Sequence, residues 1–171
     1  MSLRKFVLSV ALQLCLAAPL LAGPALLDLE PEQPPAAAVH AHSGTLVLTT
    51  ARSFLGAPYL WGGVTSRGFD CSGFVQAVLK LNGFVVPRLA DVQFAQSKKV
   101  AYEHLQPGDM VFFSTYLPGA SHCGFYLGDG DFIHASSAGK RVMISQMRTG
   151  YYRQRFVGGG SPHGWIAVSQ G

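Results

Sequence analysis

The spacing of apolar residues changes character along this chain, and each change marks an element. Behind Arg4 and Lys5 comes an almost unbroken apolar run over residues 6–21. A basic start followed by a short apolar stretch is the pattern of a bacterial secretory signal, so residues 1–22 are expected to be a leader, cleaved near Ala22 or Ala25. Gln13 and Pro19 interrupt the run and argue against a permanent membrane span. Residues 23–43 carry Pro31, Pro34 and Pro35, the triplet Ala36-Ala37-Ala38 and three acids. That is linker composition. Residues 44–171 are then expected to form one domain.

Within that domain the first periods are helical. Leu46, Leu48, Ala51 and Leu55 predict a helix over 45–54 that Gly56 stops. Pro58 holds the next residues extended, and Gly62-Gly63 allows a backbone packed closely on its neighbours. Phe74, Val75, Val78, Leu79 and Leu81 form a second helical stripe, with Asp70 as N-cap and Gly83 as the stop. A short helix is expected over 91–97. The period then shortens. Met110-Val111-Phe112-Phe113 is a buried strand after the turn Pro107-Gly108-Asp109. Residues 122–127 and 131–135 are strands joined at Gly128-Asp129-Gly130, and 141–147 and 151–157 supply two more. The stretch from Gly158 to Pro162 is expected to be a loose tail. Helices followed by antiparallel strands give an α+β class, with N-terminal helices packed on a sheet of about five or six strands.

Composition adds two constraints. The chain is 49% hydrophobic and 13% charged, which excludes a disordered polymer. From Ser43 onward eleven Lys/Arg face six Asp/Glu. This mild basicity suits a polyanionic partner, although ordinary solubility explains it as simply.

The chemistry centres on Cys71, in Phe69-Asp70-Cys71-Ser72-Gly73-Phe74. A cysteine in the first turn of a helix meets orphan N–H groups and the positive end of the helix dipole, which favour the thiolate. A thiol nucleophile needs a base, and the base an orienter; His122 and His134 supply those types. Strand alternation puts His122, Gly124 and Tyr126 on one face and Cys123, Phe125 and Leu127 on the other. The two histidines share a face only if the intervening hairpin pairs residues whose numbers add to an even value. That requires a three-residue loop, or a bulge of the same parity. Cys123 is read as buried filler facing away from His122, in a context too different from that of Cys71 for a structural bridge. A zinc site would need Cys123 as a fourth ligand, so no metal is expected. Trp61 is assigned to packing and Tyr59 to a cleft. His40, His42, His104 and His163 have no partner pattern.

Several stretches together resemble a known family. They are Gly56-Ala57-Pro58-Tyr59-Leu60-Trp61-Gly62-Gly63, Phe69-Asp70-Cys71-Ser72-Gly73-Phe74, Pro107-Gly108-Asp109-Met110-Val111-Phe112-Phe113, Ser121-His122-Cys123-Gly124-Phe125-Tyr126-Leu127-Gly128 and Phe132-Ile133-His134-Ala135. In order and spacing they are similar to the NlpC family of papain-like cysteine peptidases, secreted bacterial enzymes that cut peptide bonds in peptidoglycan. The resemblance implies a papain-like fold, with Cys71 as nucleophile, His122 as base and His134 as the third, polar member. It implies roles near substrate for Tyr59, Asp70 and Ser72, peptidoglycan stem peptides as partner, and no cofactor. It also implies action in the periplasm or cell envelope. A monomer with no nucleic-acid partner is expected.

Three departures from the family pattern stand out. Leu89-Ala90 follows Pro87-Arg88 where the family often has Thr-Ser. Cys123 replaces an aliphatic residue after the histidine. No wall-binding repeat is expected beside the domain. Leu12-Gln13-Leu14-Cys15 resembles a lipoprotein signal, but Leu14 stands where a small residue is normal; membrane anchoring follows only if Cys15 is acylated. Within peptidoglycan, the D-glutamyl bond in the stem and the diaminopimelate bond in cross-links both remain open. A wall-binding module with reduced catalysis and a thiol acyltransferase are the rival classes.

Overall fold

The computed structural model of the chain describes residues 36–162, and side chains from Ser43 onward. The expected leader, Cys15, the start of the linker, His163 and the final residues lie outside the described residues, as do the side chains of His40 and His42. Helix α1 runs Ala36–Ser53, so it begins inside the stretch read as linker. Its buried face is Val47, Leu48 and Ala51, while Leu46 and Leu55 are exposed, one position off the expected stripe. Gly56 ends this region with a left-handed φ of 84°. Next comes a two-strand hairpin, β1 (Val64–Thr65) and β2 (Gly68–Phe69).

Helix α2 (Cys71–Leu81) carries the site, and its ends explain its placement. At the start, Asp70 Oδ1 accepts from Gly73 N–H at 2.7 Å, an N-cap of the expected kind. At the end, Gly83 N–H donates to Lys80 O and Phe84 N–H to Leu79 O. With Gly83 at φ 85°, this is a Schellman stop. Phe74, Val75, Val78 and Leu79 are fully buried. The stripe continues to Asn82, whose Nδ2 donates to Thr50 Oγ1 on α1 at 3.0 Å. Leu81 lies off the stripe and is exposed.

Helix α3 spans Ala90–Gln96, close to expectation. The sheet is six-stranded and antiparallel: β3 (Lys98–Val100), β4 (Met110–Phe113), β5 (His122–Gly128), β6 (Asp131–Ser136), β7 (Arg141–Gln146) and β8 (Phe156–Ser161), in the order β3-β8-β4-β5-β6-β7. One face packs α1 and α2 against Met110, Phe112, Cys123, Phe125 and Ile133. The other buries Val111, Phe113 and Phe132 under Tyr102, Tyr152 and Phe156.

The C-terminal part differs from the sequence expectation in two places. Tyr151 and Tyr152 do not begin a strand; they lie in the short helix α4 (Gly150–Gln154). The glycine run is not a loose tail. Gly158, Gly159 and Gly160 are strand residues of β8, which pairs with both β3 and β4. A Cβ on Gly160 would come within 2.2 Å of Ser97 Oγ, and one on Gly159 within 2.6 Å of Leu105. Neighbouring side chains occupy the space where these residues would carry their own, so the strand is built from glycine.

The hairpin between β5 and β6 meets the parity condition by the second of the two expected routes. Gly128 pairs with Asp131 across Asp129 and Gly130, both at positive φ (53° and 79°), as a two-residue hairpin turn requires. A bulge then shifts the register, and Tyr126 faces Phe132 and Phe125 faces Ile133. The extra residue restores the even sum. His122 and His134 therefore share one face, and a Cβ on Gly124 would come within 2.9 Å of His134 Cβ.

Candidate active site

Cys71 is the first residue of α2 and His122 the first of β5. They meet at this end of the sheet, where Cys71 Sγ lies 4.0 Å from Ser121 O and the His122 imidazole hydrogen-bonds the thiol. His122 Nε2 is 2.7 Å from His134 Nδ1. His134 Nε2 is 2.9 Å from Ser145 Oγ on β7. The three residues expected to act together are thus joined in a chain, and Ser145 extends it by a member that sequence reasoning missed. Phe132 stacks on His134 at 4.5 Å and Tyr152 covers both imidazoles. Burial, and after it the charge of His122, push the His134 pKa well below its ordinary value. In the tautomer that serves a base at His122, a neutral His134 accepts at Nδ1 and donates from Nε2 to Ser145. It therefore presents an acceptor to His122 Nε2–H and leaves His122 Nδ1 for the thiol.

The Cys71 thiol is only 5% exposed yet its pKa is lowered to about 5. The largest cause is a hydrogen bond from Cys123. Burial opposes it, and the hydrogen bond and charge of His122 add to it, against a smaller opposing charge on Asp70. This corrects the expectation for Cys123. That residue is fully buried and on the strand face opposite His122, as alternation requires. Facing away from His122 is nevertheless not facing away from Cys71. Cys71 sits at the start of β5, where side chains from both strand faces reach it. Both cysteines are free thiols, and burial first, then the bond to Cys71, pushes the Cys123 pKa well above its ordinary value. Cys123 therefore remains a donor while Cys71 is a thiolate.

Gln93, wholly buried on α3, holds this arrangement from behind. Its Nε2 donates to Ser72 O (3.0 Å) and Pro87 O (2.8 Å), and its Oε1 accepts from Cys123 Sγ at 3.5 Å, in competition with the Cys71 sulfur for the one Cys123 proton. The Cys123 proton has two acceptors in reach, the Cys71 sulfur and Gln93 Oε1. Iodoacetamide labelling of Cys71 is expected to rise through a midpoint near pH 5 and to outpace that of Cys123. As pH falls through that value the thiolate is protonated and labelling stops. Cys123→Val removes the donor and is expected to raise the midpoint by about one pH unit, whereas Cys123→Ser keeps a donor and a low midpoint. Identical midpoints in wild type and Cys123→Val would show that the thiol contact has no electrostatic effect.

Asp70 is more committed than a cap. Besides Gly73 N–H, it accepts from Gly62 N–H (2.9 Å) and from both terminal nitrogens of Arg88 (3.0 and 2.6 Å). Arg88 Nη1 also donates to Ser72 Oγ at 2.9 Å. The fork–fork pair offsets part of the charge of a carboxylate that opposes the thiolate next to it. The sequence marks Arg88 only by its place in Pro87-Arg88, before Leu89-Ala90; its bidentate partner is not visible there.

A cleft of about 520 Å³ opens over these groups, lined among others by Trp61, Asp70, Cys71, Ser72, Arg88 and Tyr116. The loop 115–120 forms its far wall, held by Ser121 Oγ, which accepts from Thr115 N–H at 2.9 Å. Trp61 is not a core residue. It is 71% exposed and packs edge-to-face on Tyr116 across the cleft at 5.7 Å. Tyr59 is half-buried against the core. Burial, followed by the nearby charges of Cys71 and Asp70, raises its pKa to about 12, so its O–H stays protonated beside the thiol. Among the described residues no cluster of His, Cys, Asp and Glu has the arrangement of a metal site.

Comparison with known proteins places the fold in a family. A gamma-DL-glutamyl hydrolase of Bacillus subtilis is 44% identical over 115 residues, covering 66% of this chain and 28% of the relative. The probable peptidoglycan endopeptidase LytE of the same organism is 40% identical over 112 residues, covering 66% of this chain and 32% of the relative. The chain thus spans about a third of the length of these curated relatives. The crystal structure of an NlpC/P60 family protein from Bacillus cereus superposes with a TM-score of 0.64 at 36% identity, covering 69% of this chain and 39% of that one. The family description "NlpC/P60 family" matches residues 56–161, all the elements from the β1–β2 hairpin to β8. The chain belongs to the NlpC/P60 family.

Proposed function

We propose that this chain is an exported peptidoglycan hydrolase that cuts the γ-D-glutamyl bond to the diamino acid of the stem peptide through a cysteine thioester. The observation that carries this reading is the continuous chain Cys71–His122–His134–Ser145, whose sulfur-bearing residue lines an open cleft. The choice of bond is supported by the γ-glutamyl specificity in the name of one relative and by peptidoglycan in that of another. Export rests on the leader pattern of residues 1–22.

In this mechanism His122 is protonated and Cys71 is a thiolate. The thiolate attacks the scissile carbonyl carbon, and the carbonyl electron pair moves to oxygen. The Cys71 N–H, in the first turn of α2, and the Tyr59 O–H donate to that oxygen. Collapse of the tetrahedral intermediate breaks the C–N bond, and the leaving amine takes the proton from His122 Nδ1. A water then attacks the thioester while His122 removes its proton, and the thiolate departs from the carboxylic acid product. His134 and Ser145 keep His122 in the orientation and tautomer that both steps need. The committed Asp70–Arg88 pair and Ser72 line the side of the cleft where the acyl half lies.

The test is incubation with purified murein, followed by mass spectrometry of the soluble products. Fragments with a new amino terminus on the diamino acid are expected. Products that keep stems intact but lose cross-links would move the cut to the diaminopimelate–D-alanine bond. Unchanged murein would overturn the hydrolase reading.

A further inference from the structure

Cys71 and Cys123 are both free thiols, and they are hydrogen-bonded to one another. Two further contacts hold them side by side. Gln93 spans their elements: its Nε2 donates to the carbonyl of Ser72, the residue after Cys71, and its Oε1 accepts from Cys123 Sγ at 3.5 Å. From β5, the carbonyl of Ser121, two residues before Cys123, lies 4.0 Å from Cys71 Sγ. The sulfurs differ in access. Cys71 lines the cleft of about 520 Å³, whereas Cys123 is wholly buried and does not line it. A small oxidant entering from solvent therefore meets Cys71 first, and reaches Cys123 only through it.

The geometry points to Cys71 and Cys123 as a reversible redox modification site, in which a hydroperoxide oxidises the nucleophile and Cys123 captures it as a disulfide. The bridge needs only the two thiols; its effect on hydrolysis rests on the function proposed above. In the first step the Cys71 thiolate attacks one peroxide oxygen. An S–O bond forms and the O–O bond breaks, so sulfur is oxidised and the peroxide reduced. The departing hydroxide or alkoxide takes the proton of the His122 imidazolium, and Cys71 is left as a sulfenic acid. In the second step the Cys123 sulfur attacks the Cys71 sulfur. An S–S bond forms, the S–O bond breaks, and hydroxide leaves as water with the Cys123 proton. Burial, and after it the hydrogen bond and charge of Cys71, hold that proton in the resting site. The sulfenic acid carries no charge, so part of that hold is lifted when capture is needed.

The bridge is a second state of the pair, not a fixture of the fold. A disulfide is about 2 Å long, so both side chains must leave their hydrogen-bonded positions to form it. Gln93 Oε1, wholly buried, then loses Cys123 as a donor. That loss burdens the oxidised state and favours reduction by a dithiol. Capture also keeps Cys71 from advancing to sulfinic acid, which dithiols do not reverse. An aliphatic residue after His122, the commoner pattern, could neither capture the sulfenic acid nor lose a hydrogen bond to Gln93.

The experiment treats the reduced chain with hydrogen peroxide and alkylates the remaining thiols with iodoacetamide. Wild type is expected to lose about 2 Da, the two hydrogens of a disulfide, before alkylation. Peptide mapping is expected to link Cys71 to Cys123, and it tells this bridge from one to Cys15. Murein digestion is expected to fall more than about tenfold and to return with dithiothreitol. Cys123→Ser keeps a donor beside Cys71 but cannot bridge. Its Cys71 is expected to gain about 32 Da as sulfinic acid, and its own untreated rate is expected not to return with dithiothreitol. Absence of the Cys71–Cys123 link in oxidised wild type overturns the proposal, as does equal recovery in wild type and Cys123→Ser. The mass and the map need no substrate. Murein left intact by untreated wild type therefore overturns the hydrolase reading alone, and a missing link overturns the redox site alone.

Discussion

Replacing Cys71 with alanine is expected to lower the release of stem-peptide fragments from murein by about ten-thousand-fold or more, with the fold unchanged. The size of the effect follows from the number of groups that act through one atom. Cys123, His122 and the start of α2 all bear on the Cys71 sulfur, and His134 and Ser145 bear on it through His122. Without the sulfur none of them has a nucleophile to hold. What remains is the oxyanion donors and the cleft, a small residue of the rate. Stability is expected to change little, because the substitution removes one atom from a site that already opens onto the cleft. The checks are mass spectrometry of digests, a thermal melt, and a binding measurement with an uncleaved stem peptide. Wild-type digestion by Cys71→Ala would remove the thioester mechanism, whereas retained binding without cleavage separates the nucleophile from the cleft that feeds it.

Much of this arrangement was legible in the sequence because it depends on period and parity. Side chains alternate strictly along a strand, so the requirement that His122 and His134 share a face became a condition on one hairpin. The condition holds, although through a two-residue turn and a bulge rather than a three-residue loop. The Asp70 cap and the Gly83 stop were legible for the same reason, since caps are local. The glycine strand β8 was not. It has no alternation to read, because its neighbours fill the positions its own side chains would take.

The misreadings at the site have a common physical cause. Periodicity says which way a side chain faces relative to its own element, not what another element brings to it. Cys123 faces the core, and the core at that point contains the start of α2. Gln93 lies on a buried face of a seven-residue helix, where a polar residue gives no sign of its three partners. Arg88 meets Asp70 across 18 residues of sequence. Trp61 follows apolar neighbours and so suggested packing, but the turn that precedes Asp70 carries it outward to Tyr116. Each of these contacts is set by the docking of two elements, which spacing within either one does not encode.

That docking also identifies where the site is most vulnerable away from its chemistry. Gly73→Ala is expected to destabilise the protein by about 3 kcal/mol or more, near the upper end for overpacking, and to lower the melting temperature by roughly 10 °C. A Cβ on Gly73 would lie 2.1 Å from Gly63 O and 3.0 Å from Asp70 Oδ1. Neither contact is relieved by a side-chain rotation on the Gly63 side, because the atom met is backbone. Gly63 cannot retreat either. Its own Cβ position is already 2.3 Å from Gly68 O, and its carbonyl accepts from Asp70 N–H at 3.1 Å. The turn over 60–63, the hairpin β1–β2 and the first turn of α2 are thus packed backbone to backbone. A methyl group must push the turn off the helix, and with it Gly62 N–H off Asp70. The cap that starts α2 loosens, and Cys71 is the first residue of that helix. Activity is therefore expected to fall further than the loss of folded protein explains at a temperature well below the melting point. The conservative comparison is Ser72→Ala, one residue earlier, which removes a hydroxyl bonded to Arg88 but adds no volume at the turn. If Gly73→Ala melted like Ser72→Ala and kept its rate, the close approach of the turn to α2 would not be what positions the nucleophile.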